Sequence, residues 1–208
     1  YDEKHFFPRV WSNDESRGHV SYYRSQLGLA EGEEPTALDN MKFFMSYQMN
    51  YMFWRYFMWN YAGRQNDYQG SGVEPHQGNW ITGINAVDKA MGRGDFNKLP
   101  DAYKNNKAHN TMFMLPFILG ILGIVFQFKK NKLDGWVILS FWFFTGIAVQ
   151  LYINNTPNQP RERDYQYIAT YAYAIWIGIG VFFLRDLLMK AIKNPAASAA
   201  IATIACLL

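Results

Sequence analysis

The sequence predicts an all-α integral membrane protein, with three to four transmembrane helices and an outer segment built from an aromatic interfacial helix and ordered loops. Three observations carry that expectation. The 208 residues divide near position 110 into unlike halves: residues 1–110 hold 12 Lys+Arg and 13 Asp+Glu, whereas residues 111–208 hold 8 and 4. The second half contains three uncharged runs of membrane-spanning length. The basic residues that flank those runs fall on one side if the helices alternate in direction. The mean hydropathy of the whole chain is slightly negative, because it averages a wetted material with a lipid-embedded one.

The runs are Met112–Phe128, Gly135–Ile153 and Tyr165–Leu184, of 17, 19 and 20 residues. A helix of about 17–25 apolar residues crosses the hydrocarbon. Helices are therefore expected at about 112–128, 135–153 and 165–187, with Pro116 early enough in the first to be tolerated. A fourth apolar run, 196–208, stops after 13 residues and reads as a truncated span. The start, Tyr1-Asp2-Glu3-Lys4, is neither an initiator nor a basic leader. The expectation is a piece of a longer protein, cut at both ends. Lys129, Lys130, Lys132, Arg185, Lys190 and Lys193 mark the inner face. Residues 1–110 and the loop 154–164 then lie outside.

The outer segment opens with a polar, turn-rich stretch to Pro35. Thr36 and Asp39 have the spacing of a capping box, so a helix is expected at about 37–62, stopped by Gly63. That helix is crowded with Phe, Tyr, Trp and Met, and Lys42 and Arg55 are its only cations. Lys42, Ser46 and Asn50 make a polar stripe in its first half, but the second half has no clean polar face. It either lies along the outer membrane surface or spans. The aromatic surplus and scarcity of Leu, Ile and Val favour the surface. Residues 63–110 are rich in turn pairs such as Gly78-Asn79 and Gly92-Arg93-Gly94, with one short helix expected around Asn85–Met91.

Two places are candidates for chemistry. The short outer loop Asn154–Tyr165 holds Arg161, Glu162, Arg163 and Asp164. Two arginines there oppose the orientation rule, and guanidinium groups match phosphate oxygens in a bidentate fork. The carboxylates would hold the arginines or act as acid–base groups. A solvated charged loop is the plainer reading of the same run. The second place follows the aromatic helix: Arg64, Asn66 and Asp67, with Arg55, Trp54, Trp59 and Trp80, combine aromatic faces and planar polar groups as sugar sites do. Interfacial anchoring explains the same residues without a ligand. His5, His19, His76 and His109 lack metal-ligand spacing, which leaves a divalent ion open but unsupported. No cofactor motif and no nucleic-acid-binding basic cluster is present. The lone Cys206 allows no internal disulfide.

Three stretches together resemble one bacterial membrane family: Tyr51–Gly70 (YMFWRYFMWNYAGRQNDYQG), Gly78–Asn85 (GNWITGIN) and Thr156–Tyr165 (TPNQPRERDY). The family is the Bacteroidetes group known as domain of unknown function 2723, itself similar to protein O-mannosyltransferases. The resemblance implies a GT-C type glycosyltransferase of the bacterial inner membrane. Such an enzyme takes a sugar from a polyprenyl-phosphate donor and passes it to proteins or envelope glycans at the periplasmic face. It implies a catalytic acid in an earlier outer loop, outside this stretch. Arg161 and Arg163 would then bind donor phosphate, with Glu162 and Asp164 orienting them, and Arg64–Asp67 and Trp80 would line the outer cavity. Two other classes remain open: a non-catalytic scaffold in an envelope complex, and a carrier of a lipid-linked precursor. The absence of charge within the three runs disfavours the carrier.

Overall fold

The structure, a computed structural model, describes residues 6–68, 77–156 and 162–207. Ten α-helices are described: α1 (His19–Leu27), α2 (Ala37–Phe43), α3 (Arg55–Tyr61), α4 (Asn85–Ala90), α5 (Asp101–Lys104), α6 (Leu115–Lys130), α7 (Lys132–Thr145), α8 (Ile147–Ile153), α9 (Glu162–Ile192) and α10 (Pro195–Leu207). A two-stranded antiparallel ladder pairs β1 (Gly63–Arg64) with β2 (Asn110–Thr111). The expected short helix near 85–91 is α4. The polar stretch before Pro35 contains a helix, α1, that its weak pattern did not announce.

The aromatic helix starts as expected. Thr36 Oγ1 accepts the Asp39 backbone N–H, and the Asp39 carboxylate accepts the Thr36 hydroxyl at 2.6 Å and the Thr36 backbone N–H; the hydroxyl first and the N–H second hold the Asp39 pKa below the ordinary carboxylate range. From Phe44 to Trp54 the helix is then π-helical, as in the bond from the Arg55 N–H to the Asn50 carbonyl. Bonding to the fifth preceding residue gives a longer repeat than the 3.6 of an α-helix. Buried positions follow that longer repeat: Phe43, Tyr47 and Gln48, Met52 and Phe53, Phe57 and Met58. This explains the missing polar face, since no α-helical wheel fits the pattern. One edge forms a column four residues apart. Phe43 stacks on Tyr47 at 4.9 Å and Tyr47 on Tyr51 at 5.7 Å. The Arg55 guanidinium lies 4.2 Å from the Tyr51 ring and 4.8 Å from the Trp59 ring.

The apolar helices differ from expectation at their ends. α6 begins at Leu115 rather than 112, because Pro116 lacks an N–H and fits the first turn. The expected helix 135–153 begins earlier, at Lys132, capped by Asn131, and breaks at Gly146 into α7 and α8. A Cβ at Gly146 would stand 2.9 Å from the Trp142 carbonyl oxygen and 3.1 Å from Phe53, so the break sits where the aromatic helix presses in. α9 runs for 31 residues, 162 to 192, rather than 165–187. No Gly or Pro interrupts its ends, and charged residues do not by themselves end a helix. The last helix is described over 195–207 and starts one residue before the expected 196.

α6 and α9 run parallel: Phe117 meets Tyr173 near one end, and Phe126 meets Phe183 near the other. α7 returns against both, with Gly135 beside Phe128 and Gly146 beside Ala169. The two long helical stretches, Lys132–Ile153 and Gln166–Ile192, are long and apolar enough to cross a membrane. α6 and α10, of 16 and 13 residues, are apolar but shorter.

The aromatic helix packs across one end of this bundle, burying Phe43, Tyr47, Met52, Phe53 and Phe57 and leaving a row of exposed residues at Met41, Met45, Asn50 and Trp54. Tyr61 Oη donates to the Thr170 carbonyl, Gln166 to the Met52 carbonyl at 2.6 Å, and Gln48 to Asn154 at 2.9 Å. The N-terminal strap is tied to the same end. Buried Arg9 donates to the Leu151 carbonyl at 3.0 Å and stacks over Phe7 at 3.9 Å. Asn40, 2% exposed, accepts the backbone N–H groups of Arg9 and Val10 and donates to the Thr36 carbonyl. Asn40→Ala orphans both N–H groups and is expected to cost about 2–3 kcal/mol. Limited proteolysis of the segment before residue 19 should quicken accordingly.

Candidate functional site: a polar cavity over the helix ends

The site begins with Arg55. The aromatic helix carries it into a pocket of other chain segments, where it is 5% exposed. Its Nε donates to the Tyr51 carbonyl at 3.0 Å and one terminal nitrogen to the Gly78 carbonyl at 2.7 Å. The other terminal nitrogen pairs with Glu162, the first residue of α9, itself 4% exposed. Arg55, Gly78 and Glu162 come one from each of the stretches Tyr51–Gly70, Gly78–Asn85 and Thr156–Tyr165. One guanidinium therefore joins segments 23 and 107 positions away.

The second stretch is positioned by backbone pairing. Ile81 N–H bonds to the Gly63 carbonyl and Gln65 N–H to the Asn79 carbonyl, both at 3.0 Å. Gly63 has φ +157°, and a Cβ there would stand 2.8 Å from the Ile81 carbonyl oxygen, so only glycine lets the two segments close. Asn66, 1% exposed, accepts the Gly78 N–H at 2.9 Å. Its role is to brace this turn.

Between the aromatic helix and residues 79–93 lies a cavity of about 250 Å³ whose lining includes Asn50, Tyr51, Arg55, Asn79, Trp80 and Arg93. Its walls are mostly polar, with an aromatic ring on either side. Arg93 projects from the turn made by Gly92 and Gly94, which have φ of +76° and +82°. It donates to Asn79 Oδ1 at 2.7 Å and lies 5.6 Å from the Trp80 ring. Burial pulls its pKa below the ordinary arginine value, opposed by the charge of Asp88, and a guanidinium stays protonated through such a shift. Among the described residues no carboxylate forms an ion pair with Arg93. Arg55 is neutralised by Glu162, whereas Arg93 feels the charge of Asp88 without a direct ion pair among the described residues and is the second guanidinium on the lining.

The expected site residues thus separate. Arg55 and Trp80 line the cavity, and Glu162 sits directly behind Arg55. Trp59 is buried between the guanidinium groups of Arg55 and Arg64, the latter 5.2 Å from its ring. Arg64 pairs through its backbone with β2, and Asp67 is exposed beside Asn106. Arg161 and the side chains of Arg163 and Asp164 lie outside the described residues. The sequence reading missed Arg93, Asn79 and Tyr51. Two glycines flanking one arginine were the available signal for Arg93, since such a turn displays its central side chain. Among the described residues no group of three or more His, Cys, Asp or Glu is placed to hold a metal.

A family model described as a family of unknown function (DUF8416) matches residues 1–45. That span covers the N-terminal strap, α1 and the start of the aromatic helix. It ends before the three stretches on which the resemblance to family 2723 rests. No curated protein and no solved structure matches the chain.

Proposed function

We propose that this chain forms part of a bacterial membrane glycosyltransferase of GT-C type, similar to protein O-mannosyltransferases, that uses a polyprenyl-phosphate-linked sugar at the periplasmic face of the inner membrane. The observation that carries the reading is the polar, aromatic-walled cavity with Arg93 on its lining, outside any direct ion pair among the described residues, set over the ends of apolar helices. A lipid-linked donor is matched to that arrangement. Its chain lies along apolar helix surfaces, its phosphate meets a guanidinium, and its sugar meets aromatic rings and amides.

The apolar helices support the lipid half of the argument. In the most apolar windows of Lys132–Ile153 and Gln166–Ile192, 11% and 28% is buried by the rest of the chain. A core helix of a water-soluble protein is mostly covered. Here Val137 and Phe144 on α7, and Tyr171 and Phe182 on α9, face outward, as they would toward lipid. In this reading α6 crosses beside α9, the lysines at the α6–α7 turn mark the cytoplasmic side, and residues 1–110 and 154–164 face the periplasm.

The lining contains no carboxylate among the described residues. This favours a donor-binding role for the cavity, with the catalytic acid supplied elsewhere, and it is also what a non-catalytic scaffold would show. Donor binding separates the two. In nanodiscs, Arg93→Gln should weaken binding of a polyprenyl-phosphate sugar by about tenfold to a hundredfold, the range for one lost charge-assisted hydrogen bond. Wild-type protein that binds no such donor would leave the scaffold reading.

A further inference from the structure

A second cavity, of about 380 Å³, lies on the other side of Arg93. Its lining includes Ile81, Phe96, Asn97, Leu99, His109 and Thr111. We infer that it is a separate binding site for a single neutral sugar residue. This goes beyond the donor reading and rests on different residues.

The walls are braced by groups that are already satisfied. The Asp88 carboxylate, buried, accepts the Thr82 N–H at 2.7 Å, the Thr82 hydroxyl at 2.9 Å and the Gly83 N–H at 3.0 Å. Asn85 donates to Asp95 and accepts the Phe96 N–H, both at 3.0 Å. Gly83, at φ +81°, lets Thr111 and Phe113 approach so closely that a Cβ would stand 2.9 Å from Thr111 Cβ. Such a frame holds its shape without a ligand.

Three polar groups on the lining have no partner among the described residues: the Asn97 amide, the Thr111 hydroxyl and one nitrogen of His109. The His109 Nδ1 lies 3.0 Å from the Gln65 carbonyl oxygen. A carbonyl only accepts, so Nδ1 carries a proton, and Nε2 is the ring nitrogen left for a ligand. His109 stacks on Phe96 at 4.6 Å with 16° between the planes, which makes a flat aromatic wall.

The ligand class follows from this inventory. The one carboxylate on the lining is saturated by three donors, and the Arg93 guanidinium is turned to Asn79 and Trp80. An anion therefore gains less here than in the first cavity. What remains is an amide, a hydroxyl and an imidazole nitrogen around apolar Ile81 and Leu99 and an aromatic wall. Hydroxyls on a ring with an apolar C–H face satisfy both halves of that surface. The volume is near the low end of about 300–1,000 Å³ for small-molecule sites, which fits one sugar unit.

Saturation-transfer NMR on the full chain in nanodiscs, with free D-mannose, D-glucose and N-acetyl-D-glucosamine, tests the site. We expect transfer to the ring protons of at least one sugar. Binding should weaken about tenfold in the Asn97→Ala/Thr111→Val double variant, whose side chains make no hydrogen bond among the described residues and in which Val keeps the shape of Thr111 against Gly83, and also in Phe96→Leu. Asn50→Ala, in the first cavity, should leave it unchanged. No transfer from any sugar, or transfer unaltered by the double variant, would overturn the inference. Transfer lost in Asn50→Ala alone would place the sugar in the first cavity and overturn it too, while a failure of donor binding in Arg93→Gln would not touch it.

Discussion

Arg55→Ala is expected to destabilise the protein by about 3–5 kcal/mol, the cost of leaving one charge of a buried pair uncompensated. Glu162 would lose its partner at 4% exposure, and the Tyr51 and Gly78 carbonyls would lose donors. The column would also lose the cation between the Tyr51 and Trp59 rings. Arg55→Lys should recover little, because one ammonium cannot reach Tyr51, Gly78 and Glu162 in the geometry of a planar fork. The double variant Arg55→Met/Glu162→Met should recover most of the loss, since replacing both members of a buried pair by apolar groups is often neutral. Thermal unfolding in mild detergent, followed by tryptophan fluorescence, reads all three. If Arg55→Ala unfolded like the wild type, the pair would be no keystone. The first cavity would then lack the rigid wall that its function requires.

The second large effect lies where α6 and α9 touch. A Cβ at Gly123 would stand 1.8 Å from the Trp176 carbonyl oxygen, and one at Gly180 would stand 1.9 Å from that of Leu119. Both obstacles are backbone, so no side chain can move aside. Gly123→Ala or Gly180→Ala must push the helices apart, at about 3 kcal/mol or more. Such a shift also strains the 2.6 Å hydrogen bond from Trp176 Nε1 to Gln127 and the one from Tyr173 to the Phe117 carbonyl. Gly178 is the internal control. Nothing lies within 4 Å of its added Cβ, so Gly178→Ala should change stability by no more than about 0.5 kcal/mol. Close backbone approach through small residues is how helices associate where the surroundings supply no hydrophobic force between them. A Gly180→Ala protein as stable as Gly178→Ala would mean the two helices are not in this register.

The apolar helices were legible because their signal is long and uniform. Their ends were not: Pro116 and Gly146 act through the first turn of α6 and through Phe53, and a run of apolar residues shows neither. The capping pair Thr36 and Asp39 was legible because it is local. The π-helical repeat from Phe44 to Trp54 was not, since the sequence was matched against the period of an α-helix. Its trace was already present as the absent polar face. Arg55 and Glu162 were both recognised as candidates, but their pairing across 107 positions depends on the fold. That pairing alters the reading of the site. The arginine inside the aromatic helix is a structural tie, and the binding cation of the proposed site is Arg93, which the sequence displayed only as an arginine between two glycines.

The most direct test of the account is photo-crosslinking with a polyprenyl-phosphate sugar that carries a diazirine on the sugar, added to the protein in nanodiscs and mapped by mass spectrometry. Labelled peptides are expected around Asn50–Arg55 and Asn79–Arg93, competed away by unlabelled donor and lost in Arg93→Gln. Label confined to the exposed faces of α7 and α9, indifferent to competitor and to Arg93, would show lipid contact without a donor site and contradict the account.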